Sequence, residues 1–174
     1  KGLMDDSFNA HGSYVIVQER VDERTLLCRF PHHQSIGMVW ARPGEKVAFI
    51  DGQNMQSSGR RTVYRVRSRG AETFEIVFRK SVPGGVEAGS ALQNLAWEPD
   101  VTIRGCTFGS HRARGVLLST GGKIVIEDNI FESSGSAIVF PGDIKDYFES
   151  GPVRDALIRD NRFKASCLTS RYMT

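Results

Sequence analysis

The last third of the chain resembles itself, and that self-similarity limits the possible fold more than any other feature. Val101-Thr102-Ile103-Arg104-Gly105-Cys106-Thr107-Phe108, Ile124-Val125-Ile126-Glu127-Asp128-Asn129-Ile130-Phe131 and Leu157-Ile158-Arg159-Asp160-Asn161-Arg162-Phe163 share a β-branched strand, a polar turn and a closing Phe. Phe108 and Phe131 are 23 residues apart, and Phe131 and Phe163 are 32 apart. The excess of nine falls around 142–150, so the longer spacing reads as one rung with an inserted loop. A second strand recurs, with Gly115-Val116-Leu117-Leu118-Ser119 matching Ser136-Ala137-Ile138-Val139-Phe140. A period in the low twenties with two short strands per unit predicts a right-handed parallel β-helix, whose coils bury their apolar faces by stacking. Leucine-rich repeats have comparable periods but need a leucine consensus and a helical segment that are missing here. Asn129 and Asn161 are expected to form an interior ladder at the turns.

The same pattern extends to the N-terminus. Asp6-Ser7-Phe8-Asn9-Ala10-His11 aligns with Arg114-Gly115-Val116-Leu117-Leu118-Ser119, placing Phe8 against Val116 and Ala10 against Leu118. These positions are 108 residues apart, far more than one rung, so the intervening stretch reads as an insertion. It contains strand-like runs at Tyr14-Val15-Ile16-Val17, Thr25-Leu26-Leu27-Cys28, Lys46-Val47-Ala48-Phe49-Ile50, Thr62-Val63-Tyr64-Arg65-Val66 and Thr73-Phe74-Glu75-Ile76-Val77-Phe78. Such strands between polar turns suit a small antiparallel β-barrel or sandwich, closed because open edges invite aggregation. The expected organisation is therefore all-β. Residues 1–12 form a β-helix coil segment, 13–98 an inserted barrel-like domain with its return linker, and 99–174 further β-helix coils.

Composition narrows the class of function. The 174 residues carry 23 Lys and Arg against 20 Asp and Glu, a formal charge of +3 that gives no focused stripe for nucleic acid. Arg60, Arg61, Arg65, Arg67 and Arg69 form the densest basic run, with a spacing that suits a solvated strand face. No apolar run approaches the length of a membrane span. The start, Lys1-Gly2-Leu3-Met4, has no initiator Met and no apolar leader, and reads as processed or fragmentary. Cys28, Cys106 and Cys167 are odd in number and widely separated, so buried free thiols are expected rather than a disulfide framework. His32 and His33 adjoin one another without a second spaced ligand pair, so no metal is expected there, and a surface or packing role is.

Three groups of residues could carry chemistry. Asp5 and Asp6 are a candidate catalytic pair, although a solvated acidic turn has the same spacing. If Phe8 and Ala10 point into the coil, alternation sends Asp5, Ser7, Asn9 and His11 outward and Asp6 inward, where it needs a hydrogen-bonding partner. His111-Arg112-Ala113-Arg114 should neighbour that pair, because stacked strands lie about 5 Å apart, as a substrate clamp or as a structural ion-pair cluster. The expanded loop with Asp143, Asp146, Tyr147, Phe148 and Glu149 offers acids and aromatics for sugar hydroxyls and faces, or is an ordinary surface excursion. Trp97 could add a stacking platform or simply pack.

Taken together, Lys1 to Gly12, the β-rich insertion, Asn94-Leu95-Ala96-Trp97-Glu98-Pro99-Asp100, Gly115-Val116-Leu117-Leu118-Ser119-Thr120 and Tyr147-Phe148-Glu149-Ser150-Gly151 resemble glycoside hydrolase family 110. The resemblance covers nearly all of the chain but only part of the family's domain, whose β-helix has further coils. It implies bacterial exo-acting α-1,3-galactosidases that invert configuration without a metal or organic cofactor. One carboxylic acid would protonate the leaving oxygen while a carboxylate activates water from the opposite side. Asp5 and Asp6 match the family's acidic pair. The partner acid is left open between the other Asp, Glu149 and a residue on an upstream coil. His11, His111, Arg112, Arg114 and Glu149 are the expected polar substrate contacts, with Tyr147 or Trp97 stacking on galactose. The implied partner is a galactose-terminated glycan, with remaining coils or a second copy completing the assembly, in the periplasm or outside the cell. A polygalacturonase-like hydrolase and a non-catalytic carbohydrate-binding or structural fragment are the alternatives.

Overall fold

The computed structural model describes residues 4–164. The strands in chain order are β1 (Phe8–Arg20), β2 (Thr25–Arg29), β3 (Lys46–Ile50), β4 (Ser57–Ser68), β5 (Thr73–Phe78), β6 (Ala91–Asn94), β7 (Val101–Arg104) and β8 (Thr107–His111). They continue with β9 (Val116–Ser119), β10 (Lys123–Glu127), β11 (Ile130–Ser133), β12 (Ile138–Val139), β13 (Glu149–Ser150), β14 (Asp155–Arg159) and β15 (Arg162–Phe163). Single 3-10 turns at His33–Ser35 and Leu95–Trp97 are the helical elements among the described residues. The protein is all-β and divides into two compact units. The first comprises Lys1–His11, Pro99–Gly142 and Pro152–Thr174, and the second Gly12–Glu98 with Asp143–Gly151. The loop Asp143–Gly151, which the sequence attaches to a rung, thus groups with the second unit. Ile144 and Phe148 explain why: they pack with Tyr14, Ala48, Ile50 and Ala91.

Among the described residues of the first unit every ladder is parallel. β10 lies between β7 and β14, with Ile126 opposite Ile103 and Ile158. β11 lies between β8 and β15, with Phe131 opposite Phe108 and Phe163. β9 lies between β12 and the first residues of β1, pairing Val116 with Phe8 and Ile138, and Leu118 with Ala10. Alternation places Val101, Ile103, Val116, Leu118, Ile124, Ile126 and Phe131 in one apolar cluster. Ala10 packs against it, whereas Phe8 is exposed, contrary to the inward placement expected of it. The strand ahead of each closing Phe ends in a left-handed residue, Gly105 (φ 65), Asp128 (φ 56) or Asp160 (φ 55), residue types that tolerate this conformation. After Asp128 and Asp160 the next residue is Asn, and these two Asn tie the turns together, reaching also Cys106 after Gly105. Asn129 Oδ1 accepts the Cys106 amide at 2.9 Å, its Nδ2 donates to Ile103 O and Asn161 Oδ1, and Asn161 Nδ2 donates to Ile126 O.

Two features of this unit carry testable consequences. A Cβ built on Gly115 would lie 2.4 Å from Ala137 O and 2.9 Å from Phe131 Cδ1, a close backbone approach that only glycine permits. Gly115→Ala should therefore destabilise the protein by about 1–3 kcal/mol, read as a lower urea midpoint at unchanged m-value. Glu127 is buried between Arg104 and Arg159, its two oxygens each accepting a guanidinium Nε–H at 2.6 Å. Hydrogen bonds from Arg159 and Arg104 hold its carboxyl below the ordinary value of 4.5. A depressed folded-state pKa contributes stability that is present above the unfolded value and lost as pH falls through the folded one. The gap in melting temperature between the parent chain and Glu127→Gln should accordingly close as pH falls from 4.5 through the lowered folded-state value.

The second unit is antiparallel and closed. β1 pairs with β2, β2 with β5, β5 with β4, β4 with β3, β3 with β6, and β6 returns to β1. This ring is a small barrel, and β13 adds a short pairing to β1 at Gly12 and Ser13. Val15, Val17, Leu26, Cys28, Val47, Phe49, Val63, Phe74, Ile76, Phe78 and Leu92 fill the interior. Phe49 and Phe78 meet at 5.2 Å between ring centroids, and Phe30 and Phe74 at 4.9 Å. Trp40 closes the packing and donates its indole N–H to Ser13 O at 2.7 Å. The cysteines differ from expectation in part. Cys28 is buried, and burial pushes its thiol pKa up, while Cys106 is exposed and Cys167 lies outside the described residues.

Candidate functional site

The first unit gathers Asp5, Asp6, Arg112 and Arg114. Asp6 sits just before β1, and Arg114 just before β9, two strands in parallel register. That register is why residues 108 positions apart in sequence meet. Arg114 donates to Asp6 Oδ1 twice, from its backbone N–H at 3.1 Å and from Nε at 2.7 Å. The Asp6 side chain is 10% exposed and inward, and its partner is this guanidinium. Ser7 N–H donates to Arg114 O at 3.2 Å, fixing the two backbones together. Asp5 is exposed and accepts the Asp6 amide at 2.9 Å. Arg112 is exposed and reaches Met4 O at 3.2 Å, a backbone acceptor rather than a carboxylate. His11 is exposed at the position opposite Ser119, and the His111 backbone pairs with Ser133.

The second unit holds Trp97, Tyr147 and Glu149. Glu149 is buried and opposite Ser13, and Ser150 is opposite Gly12. Trp97 is partly buried, and its carbonyl approaches Gly12 closely. Tyr147 is 64% exposed. Asp143, weighed from sequence as a sugar-binding acid, is engaged with its own loop, accepting the amides of Lys145 (2.9 Å), Asp146 (2.9 Å) and Tyr147 (2.7 Å). Burial pushes its carboxyl pKa up, but these amides and the nearby His32 outweigh burial and leave it below the ordinary value. His32, assigned from sequence to the surface or to packing, stands 6.0 Å from the Tyr147 ring. No local signal links residues 32 and 147, because their contact depends on how the loop folds back. Beside β6, Gln93 donates to Glu98 at 2.6 Å, and burial pushes the Tyr14 phenol up.

Among the described residues no cluster of three His, Cys, Asp or Glu side chains is placed to hold a metal ion. No helix there is long and apolar enough to cross a membrane.

Residues 25–92 match the family model for GLAA-B beta-barrel domain II. Alpha-1,3-galactosidase B of Bacteroides thetaiotaomicron is 43% identical over 171 residues, 98% of this chain and 28% of that relative. Alpha-1,3-galactosidase B of Akkermansia muciniphila is 38% identical over 173 residues, 99% of this chain and 22% of the relative. Alpha-1,3-galactosidase A of Bacteroides fragilis is 37% identical over 164 residues, covering 93% and 27% respectively. The chain thus spans less than a third of the length of these relatives, with its barrel at the matched domain. Over nearly its whole length the chain is thus similar to a segment of proteins named alpha-1,3-galactosidase, and its barrel carries the match to GLAA-B beta-barrel domain II.

Proposed function

We propose that the chain is part of the catalytic module of an exo-acting glycosidase that removes terminal α-1,3-linked galactose with inversion. The observation that carries this reading is the Asp6 carboxylate, nearly buried, aimed by two N–H groups of Arg114 and adjacent to exposed Asp5. A carboxylate held in one orientation is what water activation needs, since a base must meet its proton in a fixed geometry. Asp6 or Asp5 supplies that base. In an inverting reaction the acid stands about 6.5–9.5 Å from it, leaving room for the water. His11, His111, Arg112 and Arg114 contribute donors to galactose hydroxyls, and Trp97, Tyr147 and Glu149 belong to the substrate-binding set.

The parallel ladders of the first unit are read as coils of a right-handed parallel β-helix, within the division 1–12, 13–98 and 99–174 apart from the loop 143–151, which groups with the barrel. Three parallel ladders with Phe108, Phe131 and Phe163 in register support this. Leu157, Ile158 and Phe163 of β14 and β15 are exposed apolar side chains that a further coil would cover. With a galactose-terminated glycan as the proposed substrate, the periplasm or the outside of the cell is the proposed place of action.

The test is a chimera in which this chain replaces the aligned segment of the B. thetaiotaomicron relative. Release of galactose from α-1,3-linked but not α-1,4-linked substrates is the expected result. A folded chimera that releases none would sink the proposal.

A further inference from the structure

We infer that Tyr147 and His32 form a stacking platform for the apolar face of a galactopyranose ring, carried by the second unit alone. The inference rests on the galactoside reading above and adds a residue, His32, to it.

The platform is built rather than incidental. Tyr147 leaves most of its ring in solvent, yet the backbone on both sides of it is fixed. Before it, Asp143 collects three consecutive loop amides. After it, Phe148 adopts φ 57, a left-handed conformation that is costly for a bulky side chain. Its ring packs on the cluster of Tyr14 and Ile144, and its carbonyl accepts the Tyr14 amide at 2.8 Å, which offsets that cost. The loop therefore holds an aromatic ring outward at the expense of a strained neighbour.

His32 completes the surface from the opposite segment. Its ring lies 6.0 Å from that of Tyr147 at 47°, and 4.3 Å from that of His33 at 41°. His32 is itself anchored, since its Nδ1 accepts the Gln34 amide at 3.4 Å and its carbonyl accepts the Ser35 amide at 3.0 Å. Aromatic faces with polar edges suit a ring that is apolar on one side and hydroxylated at its rim. Galactopyranose has that character, because its axial O4 leaves the C3, C4 and C5 hydrogens on one face. Glucopyranose, with O4 equatorial, lacks this continuous patch.

The experiment is an NMR titration of the 174-residue chain with methyl α-galactoside and methyl α-glucoside. His32 and Tyr147 ring signals are followed together with saturation transfer to the sugar protons. Galactoside should shift both rings, transfer should concentrate on H3, H4 and H5, and glucoside should bind more weakly. Tyr147→Ala should weaken galactoside binding about three- to tenfold, while Tyr147→Phe, which keeps the ring, should retain it. His32→Asn keeps an acceptor for the Gln34 amide but removes the ring, so its loss of affinity separates stacking from turn capping. Unchanged affinity in Tyr147→Ala and His32→Asn, or galactoside shifts confined to other residues, would overturn the inference. Galactose release by the chimera without platform binding would discard the platform and keep the glycosidase reading. Platform binding with no release would do the reverse.

Discussion

Phe131→Ala should cost the first unit about 3–5 kcal/mol, the range for deleting a fully buried aromatic side chain. Phe131 has no exposed surface and sits between Phe108 and Phe163, with centroids at 4.9 and 5.4 Å and nearly parallel rings. Its loss removes contacts on two rungs and leaves a void beside Gly115, whose missing side chain cannot fill it. Phe163→Ala is the matched control. Phe163 is 53% exposed, so the same chemical change there should cost under about 1.5 kcal/mol. Urea unfolding of both variants measures the difference. Equal losses would mean that the stack does not organise the unit.

Asp6→Asn should lower kcat of the chimera by about 10²–10⁴, the contribution usual for a positioned acid or base. Asparagine keeps the shape of aspartate and an oxygen for the Arg114 N–H groups but cannot take the proton from water. The far-ultraviolet circular dichroism of the variant should match that of the parent. Arg114→Lys tests orientation separately. Lysine retains positive charge without the guanidinium geometry, so a drop in kcat larger than the rise in KM from a lost sugar contact is expected if Arg114 aims the carboxylate. A variant Asp6→Asn that melts lower but turns over normally would assign this carboxylate a purely structural role.

Much of this arrangement is legible in the amino-acid sequence. Closing Phe residues and β-branched strands mark register, because a strand's period of two ties each apolar position to one face. The alignments of Phe8 with Val116 and of Val116 with Ile138 correspond to observed pairs. The barrel runs around Val47, Val63 and Ile76 were legible for the same reason. β6 is not legible in the sequence because Ala91-Leu92-Gln93-Asn94 lacks β-branched residues, and its central place comes from pairing with β1 and β3 rather than from propensity.

Non-local packing accounts for the remaining differences. The loop 143–151 looks like a charged excursion, yet Ile144 and Phe148 bury against residues about 50 to 135 positions away in sequence. The same fold-back makes Asp143 a turn-forming acid and brings Tyr147 to His32. Asp5 and Asp6 are visible as a pair, and strand alternation already sends Asp5 outward and Asp6 inward, as observed; the identity of the Asp6 partner within the basic cluster is not legible there. Only the pairing of β1 with β9 decides that Arg114 clasps Asp6.

The most direct test of the account is proton NMR of the first galactose released by the chimera from an α-1,3-linked galactoside. Inversion predicts that the β-anomer signal rises first, with the α-anomer growing only as the sugar mutarotates. First appearance of α-galactose would contradict it.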